Sequence, residues 1–187
     1  MSAMGRPKRG DNVASHAAAA SPSPRVMAPA PWSAKLRTPF AVLGIRTRDG
    51  CLTGVEFLPQ GERAQQPVDA FAARVVAEIE HYLADPRHRF TLPLSPAGTP
   101  FQRRVWRAID AIPTGESRTY GEIARALATG PRAVGNACGA NPIALVTPCH
   151  RVVGSHGALG GFARTADGDA LSIKRWLLVH EGYRFGA

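Results

Sequence analysis

The stretch that decides the fold of the C-terminal half is TYGEIARALATGPRAVGNACG, residues 119–139. It contains two short apolar periods separated by Ala128-Thr-Gly130, and each period has a helix start signal. Thr119 and Glu122 have the spacing of a capping box, and Pro131 stands at the first position of the second helix. Two short helices joined by a tight turn that contains glycine are typical of a helix-turn-helix, an outline that many all-helical cores share.

A further helix is predicted immediately before this stretch, after a linker at residues 95–98. Thr99 and Gln102 again have the spacing of a capping box. The residues that follow at helical spacing and are expected to face the core are Phe101, Val105, Ile109 and Ile112. At the other end of the chain, residues 171–180 predict a last helix, which Gly182 closes.

Residues 34–95 are predicted to form a small α/β unit. Two strands, residues 40–46 and 51–57, flank Asp49-Gly50, which is a strong hairpin signal. A third short strand is predicted at residues 90–94. Between them lies a helix whose core-facing residues at helical spacing are Phe71, Val75, Ile79 and Tyr82 or Leu83.

The charge of the chain is strongly positive. Lys and Arg total 23 against 14 Asp and Glu, which gives a formal net charge of +9, and the excess is largest in residues 96–187. Such a basic half indicates a polyanionic partner such as nucleic acid, although a solvated basic surface gives the same composition. Residues 1–33 are rich in Ala, Pro, Ser and Gly and are expected to form a disordered basic tail that makes a poor signal peptide. No run approaches the roughly 18 apolar residues of a membrane span, so we expect no membrane association.

The cysteines favour a nucleophile over a disulfide or a metal site. The three cysteines cannot all pair with one another, and their spacing fits no zinc pattern, so a reducing compartment is the simpler interpretation. Cys149 follows a short apolar run at residues 143–146 and the rigid Pro148, and His150 comes directly after it. A sulfur held in a fixed position beside a base is what nucleophilic catalysis requires.

Several motifs occur together in one order. They are TYGE at 119–122, RAVG at 132–135, NP at 141–142, PCHRVV at 148–153, GALGGF at 157–162 and KRWLLVHEG at 174–182. In this order and spacing the chain resembles the O6-alkylguanine-DNA alkyltransferases from about residue 99 to residue 182. The resemblance implies an α+β fold with a small ribonuclease H-like α/β domain at 34–95 and a winged-helix-like helical domain with a helix-turn-helix at 96–187.

The resemblance also implies a reaction. Cys149 would accept an alkyl group from O6-alkylguanine in DNA, and also from O4-alkylthymine. His150 would act as its base through a water, Glu181 would orient the histidine, and Asn141 would link the recognition helix to the site. Tyr120 would help to protonate the departing guanine. The thioether product is too stable to hydrolyse, so each molecule would react once.

DNA binding follows from the same resemblance. A guanine inside a duplex hides its O6 alkyl carbon, so the nucleotide must be flipped out of the stack. The resemblance implies that Arg132 fills the gap, that Tyr120 meets a phosphate, and that the small Ala133 and Gly135 allow close approach in the minor groove. Arg151 is assigned as a further DNA contact. The expected partner is double-stranded DNA, bound by a monomer in the cytoplasm or on a bacterial nucleoid.

The substrate pocket would be lined by Cys138, Val152, Phe162 and Ala163. After Phe162 the chain departs from the family pattern, because a longer, charged loop runs to about residue 170 in place of a Gly-Gly-Leu stretch. This leaves the width of the pocket open. We expect no metal and no cofactor.

Three other functions fit parts of the pattern. A non-catalytic lesion sensor would share the fold, but relatives of that kind lack the acceptor cysteine, which Cys149 provides here. A helix-turn-helix transcription regulator would read sequence in the major groove. A cysteine hydrolase would use Cys149 and His150 with turnover.

Overall fold

The structure of the protein is a computed structural model that describes residue 1, residues 31–162 and residues 168–185. Residues 2–30 of the predicted tail, the pocket residue Ala163 and the first part of the loop behind Phe162 lie outside the described residues. The described part combines a small antiparallel sheet with helices, which confirms the predicted mixture of helix and sheet. Within it, no helix has the length and apolar character needed to cross a membrane.

The sheet has three antiparallel strands in sequence order. They are β1 (Ala34–Arg37), β2 (Val42–Arg48) and β3 (Cys51–Leu58). Asp49 and Gly50 both have positive φ, 52° and 68°, which is the geometry of the predicted two-residue hairpin. The sequence did not indicate β1. The strand predicted from residue 40 begins at Val42 because Thr38 and Ala41 close a tight turn before it.

Helix α1 (Ala70–Ala84) covers this sheet. Asp69 caps its N-terminus by accepting a hydrogen bond from Ala72 N, and the predicted core residues Val75, Ile79 and Tyr82 are buried. Apolar burial of this kind stabilises a helix more than its intrinsic propensity does. Because α1 packs on β1 and β2, its C-terminal end is held in a fixed relation to the rest of the molecule.

The prediction of a strand at residues 90–94 was wrong. In the described structure this segment pairs only through an isolated bridge between Leu52 and Leu94. The backbone N–H and the hydroxyl of Thr91 donate to the buried Glu78 instead of to a neighbouring strand. Pro93 has no N–H to offer, so a continuous ladder cannot form there.

Helix α2 (Pro100–Asp110) begins with the predicted capping box, in which Thr99 and Gln102 satisfy each other's backbone donors. Its predicted stripe faces the core, although Phe101 is only half-buried. The sequence did not single out Trp106, which is buried and donates from its indole N–H to the carbonyl of Ala137. This bond fixes α2 against the helix that follows the turn.

The predicted helix-turn-helix outline is present as α3 (Tyr120–Ala126) and α4 (Pro131–Gly139). Thr119 and Glu122 form the second capping box. The residues just before α3 form β4 (Arg118–Thr119), which pairs in parallel with β5 (Val152–Val153). The pairing brings the start of α3 beside the segment that contains the cysteine–histidine pair, a long-range contact that no local pattern predicts.

The last helix, α5 (Gly168–His180), begins three residues before the predicted start. Gly182 has a φ of 80°, and its N–H and that of Tyr183 bond back to the carbonyls of Val179 and Leu178. This left-handed closure is the helix ending that the sequence predicted. It leaves Glu181 immediately after the helix, with its side chain directed into the protein.

Candidate active site

The loop between α4 and Cys149 is closed by the side chain of Asn141. Its Nδ2 donates to the carbonyl of Thr147 at 2.9 Å, and its Oδ1 accepts from the N–H of Ile143 at 3.0 Å. The carbonyl of Pro142 accepts a 2.8 Å hydrogen bond from Val55 N in β3. The loop is therefore held from both sides, which gives the short 3-10 turn Cys149–Arg151 a fixed position.

Cys149 is a buried, neutral thiol at rest. It is 4% exposed. Burial raises its pKa, and a hydrogen bond from Asn141 and the positive charge of Lys174 oppose that rise. A thiol in this setting needs a base before it can act as a nucleophile.

His150, the residue after Cys149, forms a buried pair with Glu181. His150 Nε2 lies 2.8 Å from Glu181 Oε1, and both side chains are fully buried. Burial lowers the pKa of His150, and the hydrogen bond to Glu181 opposes that decrease. Since Nε2 faces a carboxylate, the neutral ring carries its proton there. His150 Nδ1 has no hydrogen-bond partner among the described residues, which leaves its lone pair available to accept a proton.

Glu181 is ionised by its neighbours. Arg151 donates to it twice, from Nε to Oε2 and from Nη2 to Oε1, each at 2.9 Å, and the hydroxyl of Tyr82 donates to Oε1 at 2.8 Å. Burial alone would raise the pKa of Glu181, but the hydrogen bonds from His150 and Arg151 hold it well below its ordinary value. The arrangement thus keeps a negative charge beside the histidine at neutral pH.

Arg151 points inward. Besides its two bonds to Glu181, it donates to the carbonyl of Ile112 at 2.6 Å and to the hydroxyl of Thr114 at 3.2 Å. The sequence interpretation assigned it to DNA, whereas in the structure its guanidinium is occupied by partners within the protein. A bidentate arginine on a buried carboxylate fixes the orientation of that carboxylate.

Lys174 belongs to the site, although the sequence interpretation gave it no role. Its side chain is fully buried, and Nζ donates to the carbonyls of Val152 at 2.6 Å, Gly161 at 3.2 Å and Leu159. Burial lowers the pKa of Lys174 to about 8, against the opposing effect of the thiols of Cys149 and Cys138. The sequence did contain a signal for this role, because Lys174 lies within an apolar helix face and lysines are almost never fully buried without partners.

Replacing Lys174 with methionine is expected to remove a pH dependence of the unfolding free energy. Between the folded pKa of about 8 and the ordinary value of 10.5, the unfolded wild-type chain binds more protons than the folded one. As the pH increases from about 8 to 10.5, the free energy of unfolding of the wild type should therefore increase relative to that of the variant, by on the order of 3 kcal/mol. Urea unfolding of both proteins at a series of pH values measures the difference. A difference that stays flat across the window contradicts the expectation.

Tyr120 lies on α3, and the other predicted DNA contacts apart from Arg151 lie on α4. The hydroxyl of Tyr120 donates to the carbonyl of Gly161 at 3.1 Å, and burial raises the pKa of this phenol. Arg132 is exposed in the first turn of α4, and Ala133 and Gly135 are half-buried. A Cβ at Gly135 would lie 3.9 Å from the Tyr120 ring, so the two helices approach closely there.

Of the residues predicted to line the substrate pocket, Cys138 and Phe162 each border a cleft, whereas Val152 borders neither of these two. Cys138 and Cys149 line a cleft of about 530 Å³ between β3 and the loop after α4. Phe162 lines a neighbouring cleft of about 820 Å³, and Phe57 of β3 borders both. Val152 is fully buried. Burial raises the pKa of Cys138 to about 12, so this second thiol, like Cys149, needs a base before it can act as a nucleophile.

In the described ranges, no group of three or more His, Cys, Asp or Glu side chains has the geometry to hold a metal ion. The chemistry of the site described above comes from the thiol, the imidazole, the carboxylate and the cations around them. This set can generate a thiolate by moving one proton to His150, in the manner of a Cys-His-acid triad.

Comparison with known proteins identifies the family. The family model described as "6-O-methylguanine DNA methyltransferase, DNA binding domain" matches residues 100–183. A curated methylated-DNA–protein-cysteine methyltransferase of Methanosarcina acetivorans is 44% identical over 116 residues, covering 61% of this chain and 71% of the relative. One of the same name from Salmonella typhimurium is 50% identical over 95 residues, which cover 50% of this chain and 53% of the relative. The chain thus spans about half the length of that second relative.

Solved structures agree with the sequence comparisons. The Mycobacterium tuberculosis protein OGT, crystallised in complex with DNA, superimposes with a TM-score of 0.67 at 38% identity, over 79% of this chain and 90% of that one. The resemblance inferred from the six motifs is thereby confirmed. The relative from Methanosarcina acetivorans is 44% identical and is covered over 71% of its length, and the buried cysteine, histidine and glutamate lie inside the segment that the family model matches. The chain therefore belongs to the 6-O-methylguanine DNA methyltransferase family.

Proposed function

We propose that the protein repairs DNA by moving an alkyl group from O6 of guanine to the sulfur of Cys149, once per molecule. Family membership makes it a DNA-binding methyltransferase with a protein cysteine as acceptor. The observation that carries the assignment to Cys149 is the 2.8 Å pair of His150 and Glu181, which leaves Nδ1 of the adjacent histidine free to accept a proton.

The proposed reaction begins with the loss of the thiol proton. His150 Nδ1 takes that proton, through a water as the family resemblance implies, and Glu181 stabilises the imidazolium that forms. The thiolate then attacks the alkyl carbon in line with the bond to O6. A carbon–sulfur bond forms, the carbon–oxygen bond breaks, and its electron pair returns to the guanine. Tyr120 helps to protonate the leaving guanine and is reprotonated from solvent, while His150 releases to solvent the proton that it took from the thiol, so the charges balance.

The phenol of Tyr120 is protonated at neutral pH, and burial raises its pKa above the ordinary 10, which makes it a weaker acid than a free tyrosine. Its contribution is therefore a hydrogen bond that shares the proton with the leaving guanine. Cys149 ends as a thioether, which water does not cleave, so a second equivalent of alkylated DNA finds no acceptor. O4-alkylthymine carries the same kind of alkyl–oxygen bond, and we propose it as a second substrate.

DNA is expected to meet the surface formed by α3 and α4. We propose that α4 enters the minor groove, where its half-buried Ala133 and Gly135 allow close approach, and that Arg132 occupies the space left by the flipped nucleotide. The protein is proposed to act as a monomer on double-stranded DNA. In finer terms, we propose a ribonuclease H-like domain at 34–95 and a winged-helix-like domain at 96–187.

Intact-protein mass spectrometry tests the proposal. Incubation with duplex containing O6-methylguanine should add the mass of one methylene group, and undamaged duplex of the same sequence should add nothing. A parallel duplex with O4-methylthymine tests the second substrate. Unchanged mass with tight lesion binding would favour a sensor, sequence-dependent binding without a lesion would favour a regulator, and turnover of an ester would favour a hydrolase.

Replacing Arg132 with alanine is expected to slow transfer from duplex DNA while sparing the chemistry. The transfer rate should fall by about tenfold or more, because each 1.36 kcal/mol lost from the flipped state costs a factor of ten. Reaction with free O6-methylguanine, which needs no flipping, should change much less. Arg89→Ala removes an exposed arginine outside the C-terminal half and is the charge-matched control. Equal losses on duplex and free base would contradict the role of Arg132.

A further inference from the structure

Tyr82 reaches the carboxylate of Glu181 from a distant part of the chain. It lies near the C-terminal end of α1, and its hydroxyl donates a 2.8 Å hydrogen bond to Glu181 Oε1 across a sequence separation of 99 residues. The residue is 1% exposed, so water does not compete for this bond. The family model begins at residue 100, and the donor therefore comes from outside the matched segment.

The oxygen that accepts from Tyr82 is also the oxygen that faces the histidine. Glu181 Oε1 lies 2.8 Å from His150 Nε2 and accepts from Arg151 Nη2 at 2.9 Å. Three donors around one oxygen fix the rotation of the carboxyl group. Because the His150 ring is oriented by that oxygen, the hydroxyl of Tyr82 also restrains the ring.

The ring of Tyr82 is itself restrained. Its centroid lies 5.6 Å from that of Phe90 and 5.4 Å from that of His180. In addition, the backbone carbonyl of Tyr82 is 2.9 Å from His180 Nε2, which ties the end of α1 to the end of α5. These contacts make the hydroxyl a preorganised donor, and preorganised donors are the ones that hold catalytic groups accurately.

The charges around Glu181 suit a neutral donor. The titratable and charged groups that act on this carboxylate or on its partners are Tyr82 of α1, Asp110 of α2, His150 and Arg151 of the 3-10 turn, and Lys174 of α5. Burial raises the pKa of Tyr82, and the negative charge of Glu181 raises it further, so the phenol stays protonated. It stabilises the carboxylate without placing another positive charge beside His150.

We propose that Tyr82 is a positioning residue for alkyl transfer, which holds the Glu181 carboxylate, and through it the His150 ring, in the orientation that lets Nδ1 take the proton of Cys149. This inference rests on the function proposed above. Without the hydroxyl, the carboxylate keeps two of its three donors at Oε1, rotates more freely and attracts the proton of His150 more strongly.

The variant Tyr82→Phe tests the inference, because it keeps the ring and removes only the hydroxyl. We expect the maximal single-turnover transfer rate to fall about three- to tenfold, since misoriented groups lose rate steeply. The half-saturating duplex concentration should stay unchanged. The acidic limb of the rate–pH profile should move to higher pH by about half a unit or more, because His150 becomes easier to protonate.

Tyr183→Phe is the matched control. Tyr183 follows α5 and pairs its ring with that of Phe185 at 5.1 Å. The described donors to the Glu181 carboxylate are Tyr82, His150 and Arg151, so the profile of the control should match the wild type. A Tyr82→Phe profile that is only scaled down, with its acidic limb in place, would indicate a merely structural role and overturn the inference. A profile identical to the wild type would overturn it as well.

A measurement without DNA separates this inference from the proposed function. In protein labelled with ¹⁵N at the histidine rings, His150 should carry its proton on Nε2, and Tyr82→Phe should raise the pH at which Nδ1 becomes protonated. If neither protein accepts a methyl group but this shift occurs, the proposed function fails and the orienting contact stands. If the variant does not fold, ¹³C-labelled tyrosine in the wild type decides, because a Tyr82 phenol that ionises by about pH 10 contradicts the buried hydrogen bond.

Discussion

Serine in place of Cys149 is expected to abolish alkyl transfer while leaving DNA binding intact. A hydroxyl fits the same space but is a far weaker acid than a thiol, so His150 cannot generate the nucleophile. Transfer should fall by about a thousandfold or more, to the level of the uncatalysed reaction. Labelled methyl bound to protein measures transfer, and fluorescence anisotropy with lesion-containing duplex measures binding.

Cys138→Ser is the matched control for this experiment. Cys138 lines the same cleft as Cys149, and burial raises the pKa of both thiols, but no histidine follows Cys138 in sequence. The control should therefore still transfer the methyl group. If Cys149→Ser keeps wild-type transfer, or if Cys138→Ser alone abolishes it, the acceptor has been assigned to the wrong sulfur.

Glutamine in place of Glu181 is expected to damage both activity and stability. The variant keeps the shape of the side chain but loses the charge that Arg151 and His150 share. Removing one partner of a buried ion pair leaves the other uncompensated and costs about 3–5 kcal/mol. Transfer should fall about a hundredfold, because the imidazolium loses its stabilising anion. Urea unfolding and single-turnover transfer provide the two measurements.

The pH dependence of this loss has a definite sign. The pKa of Glu181 is lower in the folded protein than its ordinary 4.5, so ionisation stabilises the fold above that value and the contribution disappears as pH falls below it. The stability difference between wild type and Glu181→Gln should therefore shrink in acid. Glu80→Gln, on the exposed face of α1, is the control and should change neither property. A difference that grows in acid would be incompatible with an ionised Glu181.

Local signals predicted the elements that depend on a few neighbouring residues. The capping boxes at Thr99 and Thr119 and the hairpin at Asp49-Gly50 were predicted correctly because each is complete within four residues. The prediction of a strand at residues 90–94 was wrong because of a contact with a residue distant in sequence. Its apolar alternation suits a strand, but the buried Glu78 takes the donors of Thr91. Tertiary hydrogen bonding overrides β-propensity in such a case.

The residues of the candidate site also divide into those that the sequence indicates and those that only the tertiary structure reveals. Cys149 and His150 are adjacent in sequence, and the family resemblance implies Glu181, so the sequence is enough to predict these three residues. Their roles stay predictions until transfer is measured. Tyr82 was not predicted for the site, because its contact joins segments 99 residues apart. Lys174 was not predicted either, although its place within an apolar helix face was a signal; the carbonyl of Val152 that it binds lies on another segment. Arg151 was assigned to DNA from the sequence, whereas its guanidinium is held within the protein by Glu181, Ile112 and Thr114, contacts that no local pattern indicates.

The most direct test follows the methyl group itself. The protein is incubated with an excess of duplex carrying isotopically labelled O6-methylguanine, and the digested protein is mapped by peptide mass spectrometry. We expect the label on the sulfur of Cys149, with one equivalent per protein molecule and none after a second addition of duplex. Label on any other residue, more than one equivalent per molecule, or protein that stays unlabelled would contradict the proposed function.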